Sequence, residues 1–180
     1  MHADAAPISV TVPGIVPPLK QPTSMTCWAT VATMMYSWKK STSMDIQTVM
    51  TAAGPQYLAQ FNSNIGLKGS DKPKFLSTLG LKSEAPRNYT IDGWGQLLRQ
   101  HGPVWVTTDE GTNGLFAIHA RVLTAVQGDG TANGTSFGIV DPADGLVHTE
   151  TVAEFVRKFE QVARDDMGIG ADLRPQVVHF

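Results

Sequence analysis

The sequence predicts an α+β fold in which helices come first and an antiparallel β-sheet follows. Apolar residues recur at helical spacing in the first half of the chain, most clearly from Cys27 to about Lys39. The second half instead contains apolar, β-branched runs that are bounded by Gly and Asp-Gly turn signals. A chain of 180 residues with 42% hydrophobic content is long enough to bury a core. We therefore expect a single α+β domain.

Local signals define the elements of the first half. Residues 1–20 are rich in proline and β-branched residues, which predicts an extended N-terminal arm ahead of a domain over 21–180. The helix that starts near Cys27 takes Thr23 or Ser24 as its N-cap, and its apolar stripe is wide enough to predict burial on most sides. Further helices are predicted over 45–53, over 71–79, and from a cap at Asp92 to about Gln100.

The second half predicts three strands and one helix. The strands cover 103–108, 115–126 and 135–140. Thr151, followed three residues later by Glu154, forms a capping box that begins an amphipathic helix. Because the strands follow the helices instead of alternating with them, we expect the sheet to be antiparallel.

Charge and hydropathy argue against two classes of partner. The 16 acidic and 14 basic residues give a net charge of −2, without the Lys/Arg cluster that nucleic-acid binding needs. No apolar run approaches the roughly 18 residues that suggest a membrane span. The N-terminus lacks the basic start and apolar core of a secretory signal peptide, so none is expected.

Cys27 is the single cysteine of the chain, and it lies in the first turn of the predicted helix. A lone cysteine is more often a buried, inert residue than a nucleophile. The first turn of a helix, however, presents unpaired N–H groups and the positive end of the helix dipole, which lower the pKa of a thiol. Because a thiol attacks a carbonyl as the thiolate, this position favours a nucleophilic Cys27.

His119 is the candidate base for this cysteine. Two other histidines, His2 and His179, lie near the chain ends, where disorder is expected. His101 is expected at a helix end and His148 in a loop. His119 instead interrupts an apolar strand, where a polar ring is either a half-buried structural residue or a functional one.

Asp141 is the candidate group that orients the imidazole. The predicted strand 135–140 runs into Asp141-Pro142, and proline ends the hydrogen-bond ladder there. If this strand pairs with the strand of His119, the carboxylate reaches the ring and fixes its tautomer. An aspartate before proline is also a common turn residue, and Asp144 in the same turn is the alternative carboxylate.

Gln21 is the candidate oxyanion donor. A tetrahedral intermediate needs donors for its negative oxygen, and the backbone N–H of Cys27 and the amide of Gln21, six residues earlier, can supply two. The chain therefore contains a nucleophile, a base, an orienting carboxylate and an oxyanion donor, which are the parts of a thiol hydrolase.

This pattern resembles the papain-like cysteine peptidases: a glutamine six residues before Cys-Trp, His-Ala on a strand, and a strand that ends in aspartate. The resemblance covers roughly residues 20–145 and implies a Cys-bearing central helix packed on the antiparallel sheet. It implies that Cys27 is the nucleophile, His119 the general base and acid, Asp141 the orienting group and Gln21 an oxyanion donor. No metal or organic cofactor is implied, and the implied substrate is a protein or peptide.

Two bacterial branches are more similar to this chain than the plant and lysosomal enzymes are. One trims double-glycine leaders from exported peptides, and the other comprises effector proteases that bacteria inject into foreign cells. The interval from Cys27 to His119 is shorter than the roughly 130–150 residues of papain and the cathepsins. The leader peptidases imply a preference for Gly-Gly sites, with Trp28, Trp94 and Trp105 either lining the groove or lying in the core.

The resulting hypothesis is a cysteine endopeptidase that serves as a bacterial effector or toxin module. We expect delivery by a dedicated secretion system, action in a target-cell cytoplasm, and a cognate inhibitor or immunity protein as partner. The alternatives are a papain-like peptidoglycan amidase, which would reduce the turbidity of purified peptidoglycan, and a non-catalytic binding domain on the same scaffold.

Overall fold

The computed structural model describes residues 5–115, 117–169 and 177–180. Within these ranges the chain forms six helices and seven strands. The helices are α1 (Cys27–Lys40), α2 (Ile46–Ala53), α3 (Pro55–Asn62), α4 (Lys72–Thr78), α5 (Ile91–His101) and α6 (Val152–Ile169). The strands are β1 (Ile8–Thr11), β2 (Lys82–Ser83), β3 (Val104–Asp109), β4 (Ile118–Gly128), β5 (Thr135–Asp141), β6 (Leu146–Thr151) and β7 (Val177–His179).

The strands form one antiparallel sheet in the order β2-β7-β3-β4-β5-β6. Strand β4 is long enough to pair with two strands on the same side: β3 covers Ile118 to Leu123, and β1 covers Ala125 to Gly128. The register with β5 shifts between Leu123 and Ala125, a β-bulge that bends the strand between these two halves. The predicted α+β class with an antiparallel sheet is confirmed.

Two hydrophobic clusters lie on opposite faces of the sheet. Successive side chains of β3 alternate between them, so that Trp105 belongs to one cluster and its neighbours Val104 and Val106 to the other. The first cluster contains residues of α1, α2 and α4, and the second contains residues of β1, α5 and α6. The sheet is therefore a middle layer, and α1 lies on the face that will carry the site.

Helix α1 confirms the predicted helix that begins at Cys27. Nine of its fourteen residues are buried, as the wide apolar stripe predicted. Its N-cap is Thr26, so the prediction of Thr23 or Ser24 was wrong. The Thr26 side chain makes no cap bond to the helix and instead donates to the carbonyl of Thr23 at 2.9 Å. This turn leaves the first N–H groups of α1 without a side-chain cap.

Caps elsewhere were predicted with mixed success. The N-cap of α5 is Thr90, whose hydroxyl accepts from Gly93 N at 3.0 Å, so the predicted cap at Asp92 was wrong. Asp92 instead lies in the first turn, where its charge also suits the helix dipole. One of the two bonds of the predicted capping box is confirmed, because Thr151 Oγ1 accepts from Glu154 N at 3.2 Å.

Several short elements differ from the predictions. Helix α3, strand β2 and strand β6 were not predicted, and the strand predicted from Leu115 begins at Ile118. Phe116, in that predicted strand, lies outside the described residues. His148 lies in β6, not in a loop. His179 was expected to be disordered, but it is 3% exposed in β7, where its Nε2 lies 2.8 Å from Glu84 Oε1.

The segment predicted to form an extended arm contains β1. Residues 8–11 pair with β4, and Val10 and Val12 are buried against the second cluster. Residues 1–4 of this segment lie outside the described residues. The domain boundary at 20/21 stays a prediction. Among the described residues, no helix combines the length and hydropathy that crossing a membrane requires.

Candidate active site

Cys27 occupies the first position of α1, where the helix meets β4. The thiol is half-buried and points toward the start of that strand. Its sulfur accepts hydrogen bonds from the backbone N–H groups of Ala120 and Trp28. Because these donors are fixed by a strand and a helix, the position is built to hold a negative sulfur.

His119 lies at the second position of β4, opposite Thr108 of β3. Its Nε2 is 2.6 Å from Asp141 Oδ1, and its side chain also forms a hydrogen bond with Cys27. With Nε2 on the carboxylate, Nδ1 is the nitrogen that faces the thiol. The imidazole thus bridges the predicted nucleophile and the predicted orienting group.

Asp141 ends β5 and is the carboxylate that reaches His119. Its Oδ1 also accepts from Ala143 N at 2.8 Å, which fixes the carboxylate in the turn that follows the strand. The alternative residue, Asp144, binds His148 instead, with Oδ2 and Nε2 2.7 Å apart. The structure therefore brings Asp141, and not Asp144, to the imidazole.

The pKa values of this cluster favour an ion pair. Burial opposes ionisation of the Cys27 thiol, yet the hydrogen bond and charge of His119 outweigh it and hold the pKa below its ordinary value. Burial alone would lower the pKa of His119, but its hydrogen bonds to Asp141 and Cys27 raise it to about 9. The pKa of Asp141 is lowered: burial opposes its ionisation, and the hydrogen bond from His119 outweighs this. Both shifts favour the thiolate–imidazolium form of the pair over the neutral form.

Gln21 lies in the loop that leads into α1, and this loop is tied to the turn after Asp141. Gln21 N donates to Pro142 O at 2.7 Å. The side-chain Nε2 of Gln21 donates to the carbonyls of Thr23 at 2.8 Å and Ser24 at 3.0 Å. Its Oε1 is buried and has no hydrogen-bond partner among the described residues. The amide is therefore close to the first turn of α1 but engaged with its own loop.

A pocket of about 330 Å³ opens beside Cys27. Trp28 and Trp105 both line it, although they are only 4% and 2% exposed. Trp94 lies in the second hydrophobic cluster instead. The pocket also contains Lys72, the first residue of α4, which no sequence motif singles out. A lysine at the start of a surface helix is usually solvated, and only the fold brings this one to the thiol.

A buried ion-pair network supports the strand of His119 from the other face of the sheet. Arg121, with its side chain 5% exposed, binds Glu150 at 2.7 Å and Glu110 at 3.0 Å. Lys158 of α6 binds the same two carboxylates at 2.7 and 2.9 Å. The sequence signal for this network was Arg121, an arginine that lies two residues after His119 within an apolar strand.

One cluster with metal-ligand chemistry exists among the described residues, away from Cys27. Ligand atoms of Glu84, His101 and His179 all lie within 4.8 Å of one another. The two imidazoles stack with their centroids 3.7 Å apart, so their in-plane lone pairs run side by side instead of converging. Both nitrogens of His179 already have protein partners, Glu84 and the carbonyl of Phe180. We assign this cluster a structural role in holding β7.

Fold and site together define a papain-like cysteine protease. The chain matches the family model described as papain-like cysteine protease AvrRpt2 over residues 8–160, and it belongs to this family. Among solved structures, UfSP from C. elegans is similar, with a TM-score of 0.55 and 12% sequence identity. That alignment covers 99% of this chain but only 35% of the UfSP chain, and at this identity it shows the fold alone.

A comparison with curated proteins gave no match. The family match confirms the predicted resemblance to papain-like cysteine peptidases and, at the level of the family, the predicted enzyme class. The papain-like fold is likewise confirmed.

Proposed function

We propose that this chain is a cysteine endopeptidase in which Cys27 is the nucleophile, His119 the general base and acid, and Asp141 the orienting carboxylate. The observation that carries this proposal is the position of the His119 ring, bonded to Asp141 at 2.6 Å on one side and to the Cys27 thiol on the other. This is the geometry by which a base activates a nucleophile and is itself held by a third group.

Acylation begins from the thiolate–imidazolium pair. The Cys27 sulfur attacks the carbonyl carbon of the scissile peptide bond, and the carbonyl π electrons move to oxygen to form the oxyanion. His119 Nδ1–H then donates its proton to the departing amine as the C–N bond breaks. The product is a thioester on Cys27 and a neutral imidazole, while Asp141 keeps the ring oriented throughout.

The oxyanion is stabilised at the uncapped end of α1. The backbone N–H of Cys27, at the first position of α1, is the proposed first donor, and the positive end of the helix dipole adds to it. Gln21 is the proposed second donor. Because both of its N–H groups are bonded to the carbonyls of Thr23 and Ser24, its amide must release one of them when substrate binds.

Deacylation reverses the proton movement. The neutral His119 takes a proton from a water molecule, whose oxygen attacks the thioester carbonyl. Collapse of the second tetrahedral intermediate releases the carboxylic acid product and restores the Cys27 thiolate beside the imidazolium. The protein supplies every catalytic group in this cycle, and the proposal includes no metal or organic cofactor.

Substrate preference and biological setting are proposed from the resemblance. The leader-peptidase branch suggests cleavage at Gly-Gly sites. Two glycines would leave the pocket of about 330 Å³ empty, so peptide profiling distinguishes a preference for glycine from a preference for a side chain that fills the pocket. The effector-protease branch suggests a module delivered by a secretion system into a target-cell cytoplasm and held inactive by a cognate inhibitor protein. The family match is compatible with that setting.

The test is cleavage of proteome-derived peptides by the purified chain, followed by mass spectrometry, with Cys27→Ala as the matched control. We expect cleavage by the native chain and only background with Cys27→Ala, because alanine removes the nucleophile but fits the same space. Equal cleavage by both proteins would refute the mechanism.

Peptidoglycan turbidity is measured in parallel with the same two proteins. Turbidity loss without peptide cleavage would favour the amidase. No cleavage of either substrate, together with a thiol that titrates like free cysteine, would favour the non-catalytic binding domain.

A further inference from the structure

We propose that the pocket beside Cys27 binds an acidic side chain of the peptide substrate through Lys72, so that the enzyme selects aspartate or glutamate within two residues of the scissile bond. This inference rests on the proposed function, since it names a substrate feature for the same site.

Lys72 is a cation without an anion. It is half-buried at the start of α4, and its Nζ lies 5.1 Å from the centroid of the Trp105 ring. No carboxylate forms an ion pair with it in the part of the chain that the structure describes. The buried Arg121 and the half-buried Lys158 do have such partners, because each binds two carboxylates. A desolvated ammonium is costly unless it is paired, so Lys72 is a site that a ligand anion would complete.

The rest of the pocket is shaped for the carbon atoms of a side chain. Its walls are mainly apolar, with Leu67, Trp105 and Ile118 among them, and Lys72 is the one cationic lining residue among the described residues. A cavity of about 330 Å³ accommodates the methylene groups of aspartate or glutamate with the carboxylate at the lysine. Cys27 lines the same pocket, which places the bound side chain close to the bond that is cut.

The thiolate does not supply the missing anion. His119 is hydrogen-bonded to Cys27 and neutralises its charge, whereas Lys72 makes no hydrogen bond to the sulfur. Burial lowers the pKa of Lys72 to about 8, and the negative charge of Cys27 offsets this lowering only in part. The ammonium is therefore still charged at neutral pH, and a carboxylate that entered the pocket would pair with it and raise its pKa again.

The first arm of the test compares cleavage profiles of the native chain, Lys72→Met and Lys72→Arg. Lys74→Met is the matched control, because Lys74 lies on the same helix but is exposed and does not line the pocket. We expect aspartate or glutamate to be enriched at one fixed position of the native cleavage sites. At that position kcat/KM for the acid should exceed that for its amide by about tenfold. Lys72→Met should bring this ratio close to one, and Lys74→Met should leave it unchanged.

The outcomes separate this inference from the proposed function. Cleavage by the native chain without acid enrichment, or with an enrichment that survives Lys72→Met, would overturn the inference and leave the peptidase standing. Acid preference that Lys72→Arg keeps and Lys72→Met loses would support it, since both variants are long and unbranched at Cβ and only one retains the charge.

The second arm needs no substrate. The rates at which Cys27 is alkylated by iodoacetate and by iodoacetamide are compared, because these reagents differ mainly in charge. We expect the iodoacetate-to-iodoacetamide ratio to fall about tenfold in Lys72→Met and to stay unchanged in Lys74→Met. A ratio that Lys72→Met does not alter would overturn the anion-binding pocket, even if no peptide were cleaved. A lowered ratio without any peptide cleavage would retain the anion site and overturn its assignment to a peptide side chain.

Discussion

The charge of Asp141, and not only its shape, should set the pH range in which the enzyme works. Asp141→Asn keeps an oxygen that accepts from His119 Nε2, so the ring should stay oriented. It removes the negative charge that lies 2.6 Å from that nitrogen. The raised pKa of His119, about 9 instead of 6.5, corresponds to about 3 kcal/mol in favour of the imidazolium, shared among its partners.

The expected fall in the pKa of His119 follows from the strength of its hydrogen bond to Asp141. Converting a charge-assisted hydrogen bond into a neutral one removes about 1–2 kcal/mol, so the pKa of His119 should fall by about one unit. Because the imidazolium is the acid that protonates the leaving amine, the alkaline limb of the activity profile should move from about pH 9 toward pH 8. Activity near pH 8.5 should therefore fall severalfold, while activity near pH 7 changes less.

The assay is an NMR titration of His119 with labelled histidine, run beside peptide cleavage from pH 5 to 10. Asp144→Asn is the matched control, because Asp144 lies in the same turn, is 44% exposed and binds His148. It should leave both curves in place. A His119 titration that does not move in Asp141→Asn, or that moves as far in Asp144→Asn, would show that the charge of Asp141 does not set the pKa of His119.

Two further predictions concern stability, both measured by urea denaturation. Lys72→Met should raise the free energy of unfolding at pH 7, because it removes a desolvated charge. This gain in stability over the native chain should disappear as the pH rises from 8 to 10.5, because in that range the unfolded chain binds a proton that native Lys72 has lost. A variant less stable than the native chain at pH 7 would contradict this. Arg121→Met should cost about 3 kcal/mol, since it leaves the buried carboxylates of Glu110 and Glu150 short of a partner. Arg157→Met, which removes an exposed pair, should cost less than about 1 kcal/mol, and similar losses for both variants would show that the buried network adds nothing.

The parts of the site that the sequence predicted are those that local signals define. The first-turn position of Cys27 follows from apolar spacing in α1, and the strand position of His119 from an interrupted apolar run. The contact between His119 and Asp141 required only that β4 and β5 pair, which consecutive strands usually do. The choice of Asp141 over Asp144 depended on the end of β5, and only the structure decides it.

The parts that the sequence could not predict depend on contacts between distant segments. The three-residue strand β7 has too few residues to show a period, and it is buried because it pairs with β3 and β2. Lys72 is brought to the pocket by the packing of α4, which no residue near Lys72 reveals. The amide of Gln21 was predicted to face an oxyanion, and its bonds to Thr23 and Ser24 depend on a turn geometry that spacing alone does not define.

The cap errors have a simpler cause. Thr90 and Thr26 occupy the N-cap positions of their helices, although other residues that favour this position lie within three positions of each. Sequence patterns rank such neighbours equally, and the backbone angles decide between them. Thr90 is extended, with φ −66° and ψ 164°, as an N-cap whose side chain bonds the helix must be.

Alkylation of the single thiol shows whether Cys27 and His119 form a thiolate–imidazolium pair, on which the proposed mechanism depends. The rate of iodoacetamide labelling is measured against pH by intact mass for the native chain and for His119→Ala, so that every added mass reports Cys27. We expect fast labelling that persists well below pH 8 in the native chain and is lost in His119→Ala, where burial without a hydrogen bond from the imidazolium disfavours the thiolate. Slow labelling that titrates like free cysteine in both proteins would show that Cys27 and His119 form no such pair.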